Sequence, residues 1–423
     1  MSSVLVIEPL SSGGELVRRA RELGHRVTVL TGGGGARRVS SEVLERAHRV
    51  VVADTSVRSA VLAAVRELHR ESPLDAVLPG FERYVPLAAR AADLLGLPGL
   101  GPDTAELLCL KHRMRRAVAA AGLDQPGFRA VHDERAAVAA YAELGPQCVI
   151  KPVGQSGSAG VRKATSADEA VAAFRQALRA GGLAGVAEGA ESVEGAESVE
   201  GAGAGPGLVE EYVEGPEYSV EGYVEGGRVH VLGITEKVLG PEPHFVEVGH
   251  MVPAPLGPSP AREIEEYVTR VAGAVGLRMG PFHAELRMSE RGPLLMEIAA
   301  RLPGDRIPDL LRLARGHDLY EIMLRCYLGL PNPEPVRAES DTRAGIRYFL
   351  RPELADGYTE FTVDPAIGAD PRIREIGVLL PPGSARPDPF SSAGRLGYVL
   401  AAGDSYGETA GLLRLAELSV NFS

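Results

Sequence analysis

The first hundred residues alternate between short apolar runs and amphipathic segments, and this alternation constrains the fold more than any other feature. VLVIEP at 4–9 and RVTVLT at 26–31 are typical of β-strands, and GELVRRARELG at 14–24 between them is typical of an amphipathic helix. Two further apolar runs before residue 81 continue the pattern. Because strands that alternate with helices favour a parallel sheet, we predict a doubly wound α/β domain over residues 1–100.

Composition narrows the class of protein. The chain has 423 residues, of which 45% are hydrophobic, enough to fill the cores of two or three domains. Cys109, Cys148 and Cys326 lie far apart and outside any CxxC or Cys/His cluster, which argues against disulfides and a zinc site. The net charge of −11 argues against a nucleic-acid surface. Because the short N-terminal apolar run is neither a signal peptide nor a membrane span, we expect a cytoplasmic protein that binds no membrane.

A proline-glycine junction near residue 100 marks the next change in the sequence. In GPDTAELLCLKHRMRRAVAAAG we expect one helix that begins around Asp103 and ends at Gly122. Its basic cluster, from Lys111 to Arg116, is typical of a solvated helix face. We predict a second domain over residues 101–330.

A compositionally biased segment interrupts this second domain. The hexamer EGAESV occurs twice in tandem within residues 188–207, which contain few large apolar groups. Such a segment cannot offset the entropy cost of ordering, so we predict a disordered insertion. It falls in a subdomain that we place at about 126–212. The β-branched and aromatic residues of 208–240 indicate antiparallel strands, and the last part of the chain, 331–423, indicates a small α+β domain.

The segment KPVGQSGSAGVRK, residues 151–163, places a lysine before three glycines. It matches neither the P-loop, in which the lysine follows the glycines, nor the GxGxxG fingerprint. The flanking apolar residues indicate two strands and therefore a strand-loop-strand flap. Backbone N–H groups of such a flap can bind a polyphosphate, with Lys151 at its base to neutralise charge. An ordinary glycine-rich hairpin is the alternative.

Three glutamates have positions that favour ligand contacts. Glu82 follows the strand at 76–80, and ligands of open α/β sheets bind beyond the carboxyl ends of strands; a solvated loop carboxylate is an equal alternative. Glu285 and Glu297 lie on the two arms of a hairpin that turns at SERGP. Magnesium at a nucleotide takes one or two carboxylates together with phosphate oxygens and water. The pair therefore predicts a magnesium site, although two glutamates on an exposed sheet face would give the same pattern.

These motifs, taken in order, resemble those of the ATP-grasp carboxylate–amine ligases. The similarity runs through the N-terminal alternation, KHRMRRAVAAAGLDQPGF, VIKPVGQSGSAGV, VEEYVEGPEYSVEG, HAELRM, LLMEIAARLPGD and RLGYVLAAGD. It implies an ATP-grasp fold with α/β and α+β parts. It also implies ATP and Mg²⁺ as cofactors, with Mn²⁺ as a possible substitute.

The resemblance assigns nucleotide roles to matching residues. Lys111, Lys151 and Lys237 match lysines that contact the phosphates, and Glu285 and Glu297 match metal ligands. The loop that closes over the phosphates corresponds to Gly154, Ser156, Gly157, Ser158 and Gly160. The adenosine contacts correspond to Glu210 at the exocyclic amine, Val213 at the ring through its backbone, and Glu217 at the ribose hydroxyls.

One position departs from the common family pattern. Many ATP-grasp enzymes have an asparagine two residues after the second metal glutamate, and here that position is Ala299. The absence leaves open whether one or two metal ions bind. The dipeptide-forming L-amino acid ligases of the bacilysin-precursor type also lack this asparagine, and they keep the E-x-x-x-R spacing of Glu297 and Arg301.

The same resemblance assigns the substrate pocket. Arg301, which we expect to be catalytic together with Lys151, matches an arginine against the acyl phosphate and the substrate carboxylate. Glu247 and His250 match residues that line the amino-acid pocket, although a lone histidine is more often structural. Gly304 and Asp305 match the same pocket, and the aspartate favours a polar or amino-bearing substrate.

The implied reaction is ATP-dependent amide formation between an amino-acid carboxylate and an amine through an acyl phosphate. The expected partners are small amino-acid and amine substrates, with a carrier-protein acceptor still open and a homodimer common in such proteins. Three alternatives remain: a kinase of the same fold, a biotin-dependent carboxylase subunit and a non-catalytic ATP-binding regulator.

Overall fold

The computed structural model describes residues 1–33, 38–154, 157, 159–185, 207–335, 341–354, 357–385, 388 and 390–423. The predicted disordered insertion at 188–207 lies outside the described residues, except for Gly207, which begins a strand. In the described part of the chain, no helix is both long and apolar enough to cross a bilayer.

The N-terminal part forms the predicted parallel sheet. Its four strands pair in the order β3-β2-β1-β4, and every pair is parallel. The order reverses between β1 and β4, so the carboxyl ends of these two strands border a crevice. The elements are β1 Ser3–Ile7, α1 Ser12–Glu22, β2 Arg26–Thr31, α2 Ser41–Arg46, β3 Arg49–Val52, α3 Arg58–Glu71, β4 Ala76–Pro79 and α4 Val85–Leu95.

Two glycines, Gly13 and Gly80, allow the start of α1 to pack closely on the end of β4. A Cβ atom on Gly13 would lie 2.1 Å from the carbonyl oxygen of Gly80, so this close approach leaves no room for a side chain. Glu82 then begins a short 3₁₀ helix, Glu82–Tyr84, and its side chain is buried. The alternative of a solvated loop carboxylate is therefore wrong.

The next segment corrects two predictions. Instead of one helix there are two, α5 Pro102–Cys109 and α6 Lys111–Ala120, because Leu110 between them is extended. The backbone N–H of Lys111 donates to the carbonyl of Val153, 3.1 Å away, rather than continuing the first helix. The basic cluster is also not a solvated face, since Lys111, His112 and Arg115 are buried.

A small antiparallel sheet with two helices lies within the range predicted for a subdomain, about 126–212. The strand order is β5-β8-β6-β7, and an alanine-rich core packs the helices on one face. The predicted strand-loop-strand flap is confirmed as β6, the glycine segment and β7. The elements are β5 Phe128–Val131, α7 Glu134–Leu144, β6 Cys148–Pro152, β7 Arg162–Ala164, α8 Ala167–Gly185 and β8 Gly207–Glu211.

An eight-stranded antiparallel sheet, in the order β13-β12-β9-β10-β11-β14-β17-β16, forms the body of the molecule. The predicted hairpin is confirmed as β12 and β13, and its register sets Glu285 opposite Glu297. Helix α9 packs on one face, and α10 and α11 pack on the other. These elements are β9 Glu217–Glu225, β10 Arg228–Leu239, β11 Glu247–Val252, α9 Pro258–Ala274, β12 Gly280–Ser289, β13 Gly292–Ala299, α10 Ile307–Arg315 and α11 Leu319–Tyr327.

The C-terminal residues have the expected mixture of strands and helices, but three of their strands extend the central sheet. Strands from both sides of the predicted boundary at residue 331 therefore belong to one sheet. Helix α13 packs on β14 and β17. The elements are β14 Arg343–Phe349, β15 Phe361–Val363, α12 Pro365–Gly368, β16 Ile373–Val378, β17 Gly397–Gly403, α13 Tyr406–Leu418 and β18 Val420–Phe422.

Candidate functional site

Most of the predicted site residues meet in one continuous depression between the small sheet, the central sheet and the N-terminal crevice. We call its two parts the outer cleft and the inner pocket. The outer cleft is lined by Lys111, Lys151, Tyr212, Val213, Met296 and Glu297. The inner pocket is lined by Ser11, Gly80, His250, Pro303, Gly304 and Asp305. Residues shared by both parts are Gly157, Lys237, Glu247, His283, Glu285 and Arg301.

Two lysines from different segments enter the outer cleft. The Nζ atom of Lys111, at the start of α6, lies 2.9 Å from Oε1 of Glu297. The Nζ atom of Lys151, on β6, lies 2.6 Å from Oε2 of Glu210. Burial lowers the pKa of Lys151, and the charge of Glu210 only partly opposes this shift. Two buried cations at one end of a cleft are suited to hold a polyphosphate.

Glu210 anchors the base of the cleft. Its Oε1 accepts a 2.7 Å hydrogen bond from Nε of Arg115, whose Nη1 and Nη2 donate to the carbonyls of Leu295 and Met296 at 2.5 and 3.0 Å. Burial would raise the pKa of Glu210, but Arg115 and Lys151 together lower it to about 2. These contacts do not test the expected adenine contact of the Glu210 side chain, which stays a prediction.

Arg287 fixes the segment expected to bind adenosine. Its Nη1 donates to the carbonyl of Val213 at 2.8 Å, and its Nε donates to Oε2 of Glu217 at 3.0 Å. Sequence analysis missed Arg287, although its alternation with Glu285 along β12 places it on the same face of the strand. Val213 and Glu217 both line the outer cleft, as their predicted roles require.

The glycine segment faces both parts of the depression through Gly157, which has a φ of 68°. Gly160, with a φ of 75°, also packs against α8, where a Cβ would lie 2.7 Å from that of Ala180. A side chain would be strained at either position. Among the described residues, a Cβ atom on Gly154 would meet no other atom within 4 Å. Ser156 and Ser158 lie outside the described residues, so their predicted contacts stay predictions.

The paired glutamates of β12 and β13 are suited to a hard divalent cation. Burial would raise the pKa of Glu285, but Lys237 and a hydrogen bond from His283 lower it well below its ordinary range. Burial raises the pKa of Glu297, and Lys111 only partly opposes the shift. No group of three potential metal ligands occurs among the described residues, but magnesium beside a nucleotide needs only one or two carboxylates. Ala299 lines the cleft without offering an oxygen from its side chain.

Lys237, on β10, joins the two parts of the depression. Its Nζ lies 2.8 Å from Oε1 of both Glu217 and Glu285, and 3.1 Å from Oε1 of Glu247. Burial would lower the pKa of Lys237, but the three carboxylates raise it well above its ordinary value. The lysine thus contacts a predicted ribose ligand, a predicted metal ligand and a predicted pocket residue at once.

His283 supports Glu285 from inside the sheet and was missed by sequence analysis. Its Nε2 lies 3.1 Å from Oε1 of Glu285, and its Nδ1 lies 2.9 Å from Oε1 of Glu221. Glu221 is fully buried and also accepts hydrogen bonds from Ser219 and Thr235 at 2.6 and 2.5 Å. The HAE triplet, in which His283 and Glu285 are two positions apart and therefore on one strand face, was the available signal.

Arg301 connects the central sheet to the N-terminal crevice. Its Nε and Nη2 both lie close to Oε2 of Glu82, at 2.8 and 2.6 Å. Burial would raise the pKa of Glu82, but Arg301 and Lys111 lower it. An arginine held by a carboxylate from another segment is oriented for a second anion, in agreement with its predicted role at a substrate carboxylate.

The remaining predicted pocket residues come together around a residue that sequence analysis missed. Nε2 of His250 lies 3.0 Å from Oδ2 of Asp305, and Gly304 lines the inner pocket beside them. Nη1 of Arg395 donates to Oδ1 of Asp305 at 2.8 Å, and its Nη2 donates to Oε2 of Glu247 at 2.9 Å. Arg395 precedes β17, and its only sequence signal was its place in the terminal motif RLGYVLAAGD.

Comparison with known proteins agrees with this architecture. An ATP-grasp domain family matches residues 144–309, and an ATP-grasp N-terminal domain family matches residues 17–99. An uncharacterised protein of Sinorhizobium fredii is 28% identical over 384 residues, 89% of this chain and 74% of that protein. Alanine–anticapsin ligase of Bacillus subtilis is 27% identical over 265 residues, 59% of this chain and 53% of the ligase. The chain therefore spans about half of that ligase.

A solved structure extends the likeness to the whole fold. The L-amino acid ligase from Bacillus licheniformis superposes with a TM-score of 0.83 at 22% identity, covering 100% of this chain and 98% of that one. At this level of identity the likeness concerns the fold. It includes the C-terminal strands, which the two family matches do not reach.

Proposed function

Because the chain belongs to the ATP-grasp ligases, we propose that it uses ATP to activate the carboxylate of an amino acid and joins this carboxylate to an amine. The amine would be a second amino acid or another small molecule. The observation that carries the proposal is the continuity of the outer cleft with the inner pocket. A nucleotide in the outer cleft would direct its terminal phosphate towards a substrate carboxylate in the inner pocket. The two groups would meet beside Lys237, Glu285 and Arg301, which line both parts.

Activation would make the carboxylate reactive towards an amine. A carboxylate oxygen attacks the γ-phosphorus of ATP, the bond to the bridging oxygen breaks, and ADP leaves with that oxygen. Charge spreads over the phosphoryl oxygens in the transition state, and fixed cations stabilise it. Lys111 and Lys151 would bind the phosphates from one side of the cleft, and Lys237 from the other. The flap at Gly157 would exclude water, which otherwise hydrolyses the acyl phosphate.

Glu285 and Glu297 would hold the magnesium ion. Their carboxylates lie opposite each other on adjacent strands, so both can face the same ion. Bound magnesium, or manganese in its place, supplies positive charge that neutralises the phosphates. Lys111 and Lys237 already contact these two carboxylates, so charge in this part of the cleft is balanced before a nucleotide enters.

The second step would form the amide. The neutral amine attacks the acyl carbon, the carbon-oxygen bond to phosphate breaks, and the amine loses a proton as phosphate leaves. Arg301, held by Glu82, would stabilise the oxygens of the acyl phosphate through its remaining donor capacity. The names of alanine–anticapsin ligase and the L-amino acid ligase support amino acids as the first substrates to test.

The testing experiment measures ADP release with ATP and magnesium across the twenty L-amino acids, singly and in pairs. Each active mixture is analysed by mass spectrometry for the sum of two amino acids minus water. In parallel wells, hydroxylamine replaces the amine and traps an acyl phosphate as a hydroxamate. A dipeptide mass supports the proposal. A phosphorylated product that persists with amines present would contradict it and favour a kinase, and bicarbonate-dependent ADP release would favour a carboxylase.

A further inference from the structure

Arg395 is a buried guanidinium that stands behind the wall of the inner pocket. Only 3% of its side chain is exposed, and it reaches the pocket from the C-terminal segment. Its Nη1 and Nη2 bind Asp305 and Glu247 at 2.8 and 2.9 Å. A third contact joins Nη2 to Oγ of Ser392 at 3.1 Å. Every one of these partners lines the pocket.

The guanidinium holds two like charges side by side. Glu247 begins β11 and Asp305 lies in the turn after β13, and among the described residues Arg395 alone binds both. The planar group also lies over the ring of Tyr348, with 4.1 Å between its carbon and the ring centroid. Because a guanidinium is rigid and directs its donors at fixed angles, it sets the orientation of both carboxylates.

The two carboxylates keep acceptor capacity towards the pocket. Oδ2 of Asp305 contacts His250 at 3.0 Å, and Oε1 of Glu247 contacts Lys237 at 3.1 Å. Each carboxylate oxygen has two acceptor sites, so these contacts do not saturate either group. The side chains of Glu247 and Asp305 are 14% and 26% exposed, whereas that of Arg395 is 3% exposed. The pocket therefore meets the carboxylates and not the guanidinium behind them.

The charges at this wall complement an ammonium group. Two carboxylates face one guanidinium, and the nearby Lys237 is divided among Glu217, Glu247 and Glu285. We propose that Arg395 positions Glu247 and Asp305 to bind the ammonium group of the substrate amino acid, so that the pocket selects amino acids over simple carboxylic acids. This inference rests on the proposed function and concerns the recognition of its first substrate.

Arg306, which follows Asp305 on the turn after β13, provides a matched control for Arg395. Asp305 and Arg306 both have a left-handed backbone, with φ of 54° and 61°, a conformation that surrounding contacts must maintain. Arg306 binds Glu375 through two 3.0 Å hydrogen bonds and Asp309 through one of 2.6 Å. These partners do not line the inner pocket in the described part of the chain. Both arginines thus tie the turn to neighbouring segments, but only Arg395 binds pocket carboxylates.

The experiment compares Arg395→Met, Arg395→Lys and Arg306→Met with the wild-type chain. For each protein, kcat and KM are measured for the L-amino acid that gives the fastest ADP release and for the carboxylic acid that lacks only its α-amino group. Arg395→Met should raise the KM for the amino acid about tenfold or more, the effect of losing one charge-assisted contact. The KM for ATP and for the deaminated acid should change by less than about threefold.

The two other variants separate positioning from stability. Arg395→Lys should give an intermediate KM, because one ammonium reaches only one of the two carboxylates. Arg306→Met should lower the melting temperature without changing the preference for the amino acid. Equal changes of KM for the amino acid and the deaminated acid in Arg395→Met would overturn the inference. If Arg306→Met lost the preference for the amino acid to the same extent as Arg395→Met, the inference would also be overturned. If the wild-type chain shows no amino-acid-dependent ADP release, the proposed function fails and this inference fails with it.

Discussion

Glu285 and Glu297 lie on the two arms of one hairpin, whereas Glu247 and Arg395 are 148 residues apart and meet only in the folded chain. Both regions gather buried carboxylates around a cation. At the hairpin the cations are lysines that line the cleft, and a nucleotide can reach them. At the pocket, Arg395 stands behind the wall. Under the proposed function, the hairpin would carry out the chemistry and the pocket would select the substrate.

The strongest test of this division is Glu297→Gln. Loss of one proposed metal ligand should lower kcat for ADP release by about a thousandfold, because several kcal/mol of charge stabilisation depend on the ion. The measurement is steady-state ADP release at saturating substrates. The control is Glu290→Gln, which removes a carboxylate from the turn of the same hairpin. Turnover within a few fold of wild type would show that the metal binds elsewhere.

A second test uses acid to ask whether the ion pairs of Glu210 with Arg115 and Lys151 stabilise the base of the outer cleft. The pKa of Glu210 is lowered to about 2 in the folded chain, so its stabilisation is complete above its ordinary pKa of 4.5 and is lost as the pH falls towards 2. Glu210→Gln should lower the free energy of unfolding by roughly 2–4 kcal/mol at pH 7, and the difference should shrink below about pH 5.

The measurement is denaturant unfolding between pH 3 and pH 7 for the wild type and the variant. Glu143→Gln is the control, since the side chain of Glu143 is half exposed and pairs with Arg129 at the surface. Surface pairs of this kind contribute little to stability. A stability difference that does not depend on pH would show that the ionised carboxylate of Glu210 is not what stabilises the fold.

Lys237 connects the two regions, so Lys237→Met should affect both. The variant leaves Glu217, Glu247 and Glu285 without their common cation and should lower kcat/KM by about a hundredfold, with changes in both kcat and KM. Steady-state kinetics with each substrate varied in turn would measure this. If only the KM changed, Lys237 would belong to the pocket alone and would not bind the transferring phosphate.

The smallest effect is expected from Glu247→Gln. The change keeps the shape of the side chain but removes one of the two charges at the pocket wall, so KM for the amino acid should rise about tenfold while kcat stays within about threefold. The control is Glu236→Gln, because the carboxylate of Glu236 accepts a hydrogen bond from Tyr406 outside the depression. A large loss of kcat with an unchanged KM would break the division between hairpin and pocket.

Local patterns predicted much of the fold and several of the residues that line the depression. The alternation of the first hundred residues, the flap and the hairpin each depend on neighbours within a few dozen residues, and all three were predicted correctly. Lys111, Lys237 and Arg301, which the resemblance assigned to the site, all line the outer cleft, and their roles stay predictions. Local reasoning failed where an element is broken by a distant partner, as at Leu110, where the backbone of the next residue binds Val153.

Sequence by itself determined which residues could carry charge into the site, and tertiary structure decided how those charges are paired. Arg115 was interpreted as part of a solvated basic cluster, yet it is fully buried against Glu210, and its i, i+4 spacing from Lys111 shows only that both share one helix face. The sequence did not show that Arg395 binds Asp305 and Glu247, because these partners come from two other segments. A hairpin register is set by adjacent residues, whereas a buried ion pair forms only when packing removes both charges from water.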